Sequence, residues 1–185
     1  MKRIVSFDID GVLNNYPDCW LKYLNSRTHS SFKSIFIAKE KMDEELYISI
    51  KDEYRLMGEK SIFTISNKEM IQVINKFFDA GFYVIISTSR PLKSVKYPNL
   101  YDLTFDWLLN EGVKFSELIY KDDSLTNHRH LLDEILFHID DESKYIDAFK
   151  KFDIQSYLYS FVDKQLCEIS FNDLIKIKNK NASIF

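Results

Sequence analysis

Two carboxylates stand two positions apart in Phe7-Asp8-Ile9-Asp10-Gly11-Val12. In extended chain alternate side chains share a face, so Asp8 and Asp10 lie on the same side of the backbone. Such a pair suits divided labour at phosphorus. One carboxylate attacks in line, while the other, turned into the cleft by the glycine, protonates the leaving oxygen and then activates water. Acidic side chains alone repel a phosphate, so the pair calls for a hard dication such as Mg²⁺, and Asp140 and Asp141 offer it further ligands. A phosphoryl group in transfer also needs donors on its equatorial oxygens. Ser87-Thr88-Ser89-Arg90 supplies hydroxyls and backbone N–H groups, and a cation should complete the cradle.

Each cluster has a plainer reading. Asp-x-Asp-Gly also occurs in turns and calcium loops, although the later ligand pattern of an EF-hand is missing here and an apolar strand precedes the motif. Asp140-Asp141-Glu142 suits the first turn of a helix, where acidic residues favour the dipole. Lys121 to Asp123 suits a solvated turn, and His128-Arg129-His130 a surface or a substrate rim. Tyr16, Trp20, Tyr23, Phe32 and Phe36 could stack a base or simply pack, and Lys33, Lys39 and Lys41 suit a solvated face.

What must position these groups is a set of strand ends. Residues 3–9 form an apolar, β-branched run ending in the acidic pair, the pattern of a buried central strand. Pro17 fits the first turn of a helix carrying Trp20, Leu21 and Leu24, and a second helix is expected over about 38–57, stopped by Gly58. Ser66-Asn67-Lys68-Glu69 reads as a capping box before Met70, Ile71, Ile74, Phe77 and Phe78 at helical spacing, with Gly81 as the stop. Phe82 to Ile86 is a strand ending in Ser87-Thr88-Ser89-Arg90. A helix at 101–111 precedes the strand Leu118-Ile119-Tyr120, and Ile135 to Ile139 is a strand running into Asp140-Asp141. A helix near 142–151, a strand near 156–162 and a last helix begun by Ser170 complete the alternation. The expected fold is therefore α/β: a Rossmann-like parallel sheet with helices on both faces, its ligand beyond the carboxyl ends of the strands.

Composition agrees with one domain. The 185 residues are 45% hydrophobic and 29% charged, which excludes a disordered or fibrous chain. Four Gly and three Pro imply long elements and short loops. A net charge of −3 gives no broad footprint for nucleic acid, while a local basic groove and a small anionic substrate both stay compatible with it. Cys19 and Cys167 are too few for a disulfide framework and read as ordinary thiols. No apolar run is long enough to span a bilayer and no cleavable leader is evident, so a cytoplasmic location and no membrane partner are expected.

Asp8-Ile9-Asp10-Gly11-Val12, Ile85-Ile86-Ser87-Thr88-Ser89 and Ile139-Asp140-Asp141 resemble motifs one, two and four of the haloacid dehalogenase (HAD) superfamily, in order and in strand-end placement. The resemblance covers about residues 3–163. It implies a core of 1–13 and 61–185 with a small helical cap, 14–60, inserted after the first strand. Within the superfamily the start and the cap look like those of type C 5′-nucleotidases, the 5′(3′)-deoxyribonucleotidases. That likeness implies Asp8 as nucleophile forming an aspartyl-phosphate, Asp10 as general acid/base, and Thr88 with Ser89 on the phosphate. Mg²⁺ would be held by Asp8, the Asp10 backbone carbonyl, and Asp140 or Asp141. The motif-three cation is open between Lys121, at a strand end but 19 positions before Asp140, and Arg129. Thr88-Ser89-Arg90-Pro91 is also similar to the phosphatase domain of polynucleotide kinase-phosphatases, which implies Arg90 on the substrate side. The expected activity is Mg²⁺-dependent hydrolysis of a nucleoside monophosphate or another small phosphomonoester. The alternatives are 3′-end processing of a polynucleotide and a non-catalytic phospho-ligand-binding domain.

Overall fold

The computed structural model describes residues 3–121, 129–132, 134–162 and 165–166. Strand β1 (Ile4–Asp8) is followed by helices α1 (Asp18–Thr28), α2 (Ile35–Lys41), α3 (Glu44–Leu56) and α4 (Lys68–Asp79). Then come β2 (Tyr83–Thr88), α5 (Leu100–Asn110), β3 (Glu117–Tyr120), α6 (Arg129–Leu132), β4 (Ile135–Asp140), α7 (Ser143–Lys150), β5 (Gln155–Ser160) and the short β6 (Gln165–Leu166).

The sheet order is β3-β2-β1-β4-β5-β6, parallel throughout except for the antiparallel edge strand β6. β1 lies between β2 and β4, and all five of its residues are buried, which is why it reads as an almost unbroken apolar run. Strand alternation divides the core in two. Val5, Phe7, Val84, Ile86, Phe137 and Ile139 pack against α4 and α5, whereas Ile4, Ile85, Ile119 and Ile135 face α6 and α7. Helices thus cover both faces, as expected.

Two local expectations are corrected. The helix expected over 38–57 is two helices, because Met42 is extended (ψ 154°) and the Asp43 side chain accepts the Leu46 N–H at 2.9 Å, starting α3 afresh. Gly58, with φ +76°, closes α3 as expected. The cap of α4 is Asn67, not Ser66. Its side-chain oxygen accepts from Met70 N at 3.2 Å while its amide donates to Val12 O and to the Tyr159 hydroxyl. Three partners hold Asn67 where a serine hydroxyl would satisfy fewer. The helix expected from Ser170 lies outside the described residues.

Helices α1–α3 build a cluster of their own around Trp20, Tyr23, Leu24, Ile50 and Tyr54. The chain leaves and re-enters the sheet domain side by side: Asn15 N donates to Ile65 O (3.0 Å), Ile65 N to the Asn15 side chain (2.7 Å), and Asn67 N to Leu13 O (2.8 Å). Among the described residues no helix is long and apolar enough to cross a membrane.

Candidate active site

Parallel register delivers the chemistry-bearing residues to one edge. Asp8 pairs with Ser87, Thr88 with Tyr120, and Asp140 with Leu158, so the ends of β1, β2, β3 and β4 open on the same side of the sheet. Beyond these ends lies a pocket lined by Asp8, Asp10, Ser89, Arg90 and Glu142. The inserted segment closes it with Tyr16, Lys51, Arg55 and Glu59.

Asp8, 4% exposed, meets the Lys121 ammonium at 2.8 Å. Lys121 also pairs with Asp140. Lys121 contacts Asp8, whereas the Arg129 side chain lies outside the described residues, as does His128. Asp140 is further held by His138, whose Nε2 lies 2.9 Å from Oδ2, and by the Glu142 N–H at 2.9 Å. His138 Nδ1 meets Ser6 Oγ at 3.0 Å, and Ser6 meets Ser87 at 3.2 Å. Burial pushes His138 down despite Asp140. Because the Asp140 carboxylate only accepts, Nε2 is the nitrogen that carries a proton toward it.

Asp8, Asp140 and Asp141 bring carboxylate oxygens within 4.8 Å of one another. Burial lifts Asp8 well above the ordinary carboxylate range; Lys121 opposes this, and Asp140 and Asp141 reinforce it. Burial, Asp140 and Glu142 push Asp141 up to about 8. Asp140 is held low, because His138 and Lys121 outweigh its burial. A hard dication fits this set. Asp8 Oδ1 is buried without an aligned hydrogen bond, and among the described residues Asp141 makes no hydrogen bond or ion pair. One lysine faces three carboxylates, so two further positive charges would balance the cluster. Gly11 belongs to the same construction. Its φ is +80°, and a Cβ there would stand 2.0 Å from Asp141 Oδ2.

Asp10 is held differently. Arg90 grips it as a fork, Nη2 to Oδ1 at 2.6 Å and Nε to Oδ2 at 2.8 Å, and Asn14 donates to Oδ1 at 2.8 Å. Burial pushes Asp10 up, but Arg90 and Asn14 prevail and hold it below the ordinary range. Arg90, only 3% exposed, also donates to Gly58 O at 3.2 Å and Thr104 at 3.4 Å. The guanidinium expected on the substrate side thus borders the pocket while its donors serve protein acceptors. Thr88 is buried, and its oxygen accepts the Arg90 N–H at 3.2 Å. Ser89 is exposed at the pocket.

Several site residues were not found by sequence reasoning. His138 and Asp140 are two apart on one strand, a spacing that puts both on one face. Lys51 and Arg55 stand four apart on one face of α3 and Glu59 follows just beyond its end, but nothing in their types says which way that face looks. The stacking candidates divide: Trp20 and Tyr23 pack inside the inserted segment, Tyr16 lines the pocket, and Phe36 is exposed.

Sheet order and helix placement define an α/β Rossmann-like domain of the HAD fold. Solved structures of that fold match along nearly the whole chain. A predicted phosphoglycolate phosphatase from Haemophilus somnus 129pt superposes with TM-score 0.59 at 16% identity, covering 95% of this chain and 97% of that one. CbbY from Rhodobacter sphaeroides, in complex with phosphate, gives TM-score 0.57 at 15% identity over 94% and 96%. A chain of the Pnkp1/Rnl/Hen1 RNA repair complex gives TM-score 0.51 at 13% identity; 85% of this chain is covered, which spans 42% of that one. No family model and no curated protein sequence matches.

Proposed function

We propose that the protein is a Mg²⁺-dependent phosphomonoester hydrolase of the HAD type, acting through an aspartyl-phosphate on a nucleoside monophosphate or another small phosphorylated metabolite. The observation that carries this reading is the convergence of Asp8, Asp10, Lys121 and the Asp140–Asp141 pair on one strand-end pocket. An Asp8 oxygen attacks phosphorus, the ester P–O bond breaks, and Asp10 gives its proton to the leaving oxygen. Water then attacks the acyl phosphate, its proton passes to Asp10, and Asp8 is regenerated. Lys121 offsets charge on Asp8 and on the phosphate, with Thr88 and Ser89 donating to phosphate oxygens. The Arg90 fork holds Asp10 ionised, the form that takes a proton from water. Entry of a phosphate dianion opposes that charge and raises Asp10 toward the proton-bearing form that the first step needs. Mg²⁺, held by Asp8, the Asp10 carbonyl and Asp140 or Asp141, would supply the charge that keeps Asp8 ionised beside the substrate.

In this reading α1–α3, residues 14–60, are a small cap whose Tyr16, Lys51 and Arg55 close the leaving-group side. Processing of a phosphorylated nucleic-acid end is the second reading, favoured by the Thr88-Ser89-Arg90 sequence and the likeness to the RNA repair chain.

Inorganic phosphate release is the test, measured on nucleoside monophosphates, sugar phosphates and a 3′-phosphorylated oligonucleotide, with Mg²⁺ or EDTA. Turnover that requires Mg²⁺ and drops at least about a thousandfold in Asp8→Asn supports the reading. Turnover that survives Asp8→Asn refutes the aspartyl-phosphate, and the preferred substrate decides between the two readings.

A further inference from the structure

The pocket wall contributed by the inserted segment carries more positive charge than its own carboxylates use. Asp10 accepts both forked N–H groups of Arg90, and Glu59 pairs with Arg55 at 3.2 Å. That leaves Lys51. Its side chain is 14% exposed, and its nearest carboxylate oxygen, Glu59 Oε2, is 3.9 Å away, beyond hydrogen-bond reach. Among the described residues its ammonium has no hydrogen-bond acceptor. Three rings surround it instead: Trp20 at 4.6 Å, Tyr54 at 5.0 Å and Tyr16 at 5.2 Å from nitrogen to centroid. Ring faces attract the charge but accept no strong hydrogen bond, so the ammonium keeps its donors for whatever enters the pocket. Burial pushes Lys51 down, with Glu59 and Asp10 opposing the shift and Arg55 and Arg90 adding to it.

Position says which part of a ligand Lys51 would meet. The phosphoryl group attacked by Asp8 already has Lys121 beside it. Lys51 acts electrostatically on Asp10, the residue that serves the leaving oxygen. Tyr16 lines the same pocket, and burial, Asp10 and Glu59 keep its hydroxyl protonated and able to donate.

We infer that Lys51, assisted by Arg55 on the same helix face, binds a second anionic group carried by the leaving group, so that the preferred substrates are phosphomonoesters bearing a carboxylate or a second phosphate. The inference rests on the hydrolase reading above for its orientation. It narrows the substrate class from any small phosphomonoester to those with two anions.

The full chain with Mg²⁺ is assayed on matched pairs: phosphoglycolate against ethyl phosphate, and propane-1,3-diyl bisphosphate against 3-hydroxypropyl phosphate. In the wild type kcat/KM favours the two-anion member by about tenfold or more, the worth of one charge-assisted hydrogen bond. The pair with the larger ratio tells carboxylate from phosphate. Lys51→Met brings the ratio to about one, and Lys51→Arg restores most of it. A wild-type ratio near one, or equal loss on both members in Lys51→Met, overturns the inference. Calorimetric binding of the same four compounds to Asp8→Asn separates this outcome from failure of the hydrolase reading. A Lys51-dependent preference in binding without phosphate release sinks only the hydrolase, whereas equal binding of both members sinks the second-anion subsite. Should Lys51→Met not fold, Lys51→Gln is read in the same binding experiment.

Discussion

Asp8 and Asp10 are neighbours on one strand end, yet their surroundings drive them in opposite directions. Around Asp8 three carboxylates share one lysine, and burial with mutual repulsion lifts Asp8 and Asp141. Around Asp10 the charges match: the Arg90 fork and Asn14 meet it, and it stays low despite burial. The first cluster is completed only by added positive charge, while the second is complete within the protein. A two-residue spacing offers two carboxylates, and the third dimension gives each a different chemistry.

The sharpest way to break this comparison is to remove each carboxylate separately. With a turned-over substrate, Asp10→Asn accumulates an acid-stable phosphorylated protein and slows phosphate release at least about a hundredfold. Asp8→Asn forms none. Label on both variants, or on neither, would end the division of roles. Next in size is the closed charge balance around Asp10. Arg90→Met leaves a buried carboxylate uncompensated and costs about 3–5 kcal/mol, read as a lowered denaturant midpoint. A loss under about 1 kcal/mol would show that the fork is not what holds Asp10.

Gly11→Ala tests how closely the first cluster is built. A left-handed φ and a Cβ pressed on Asp141 cost about 1–2 kcal/mol and move that carboxylate. Thermal stabilisation by Mg²⁺ should shrink in Gly11→Ala more than in an alanine control at the exposed Lys93. The last test is pH dependence in EDTA. Asp141 at about 8, against an ordinary 3.8, keeps a proton in the native state that the unfolded chain has released. Stability therefore falls as pH rises from about 4 to about 8, and Asp8, also raised, adds the same sign. Asp141→Asn should flatten the slope of melting temperature against pH, and an unchanged slope would assign it elsewhere.

The parallel sheet and the strand-end placement of Asp8, Thr88, Lys121 and Asp140 were legible because buried strands and capped helices leave periodic traces. The break between α2 and α3 was written in Asp43-Glu44-Glu45, an N-cap followed by an acidic first turn, but the apolar rhythm on either side masked it. Ser66 was mistaken for the cap of α4 because the capping-box pattern fits it locally, whereas Asn67 wins through contacts with Val12 and Tyr159 far along the chain.

What the sequence determined by itself is the order of the elements and the supply of reactive groups, since both depend on neighbours a few residues apart. Only the tertiary structure decided how those groups pair. The Arg90 grip on Asp10 spans 80 positions, and Lys121 reaches Asp140 across 19. Lys51 meets the pocket because α3 folds back over the strand ends. Charge interactions depend on distance and burial, and a linear chain specifies neither until the sheet has brought its strand ends together.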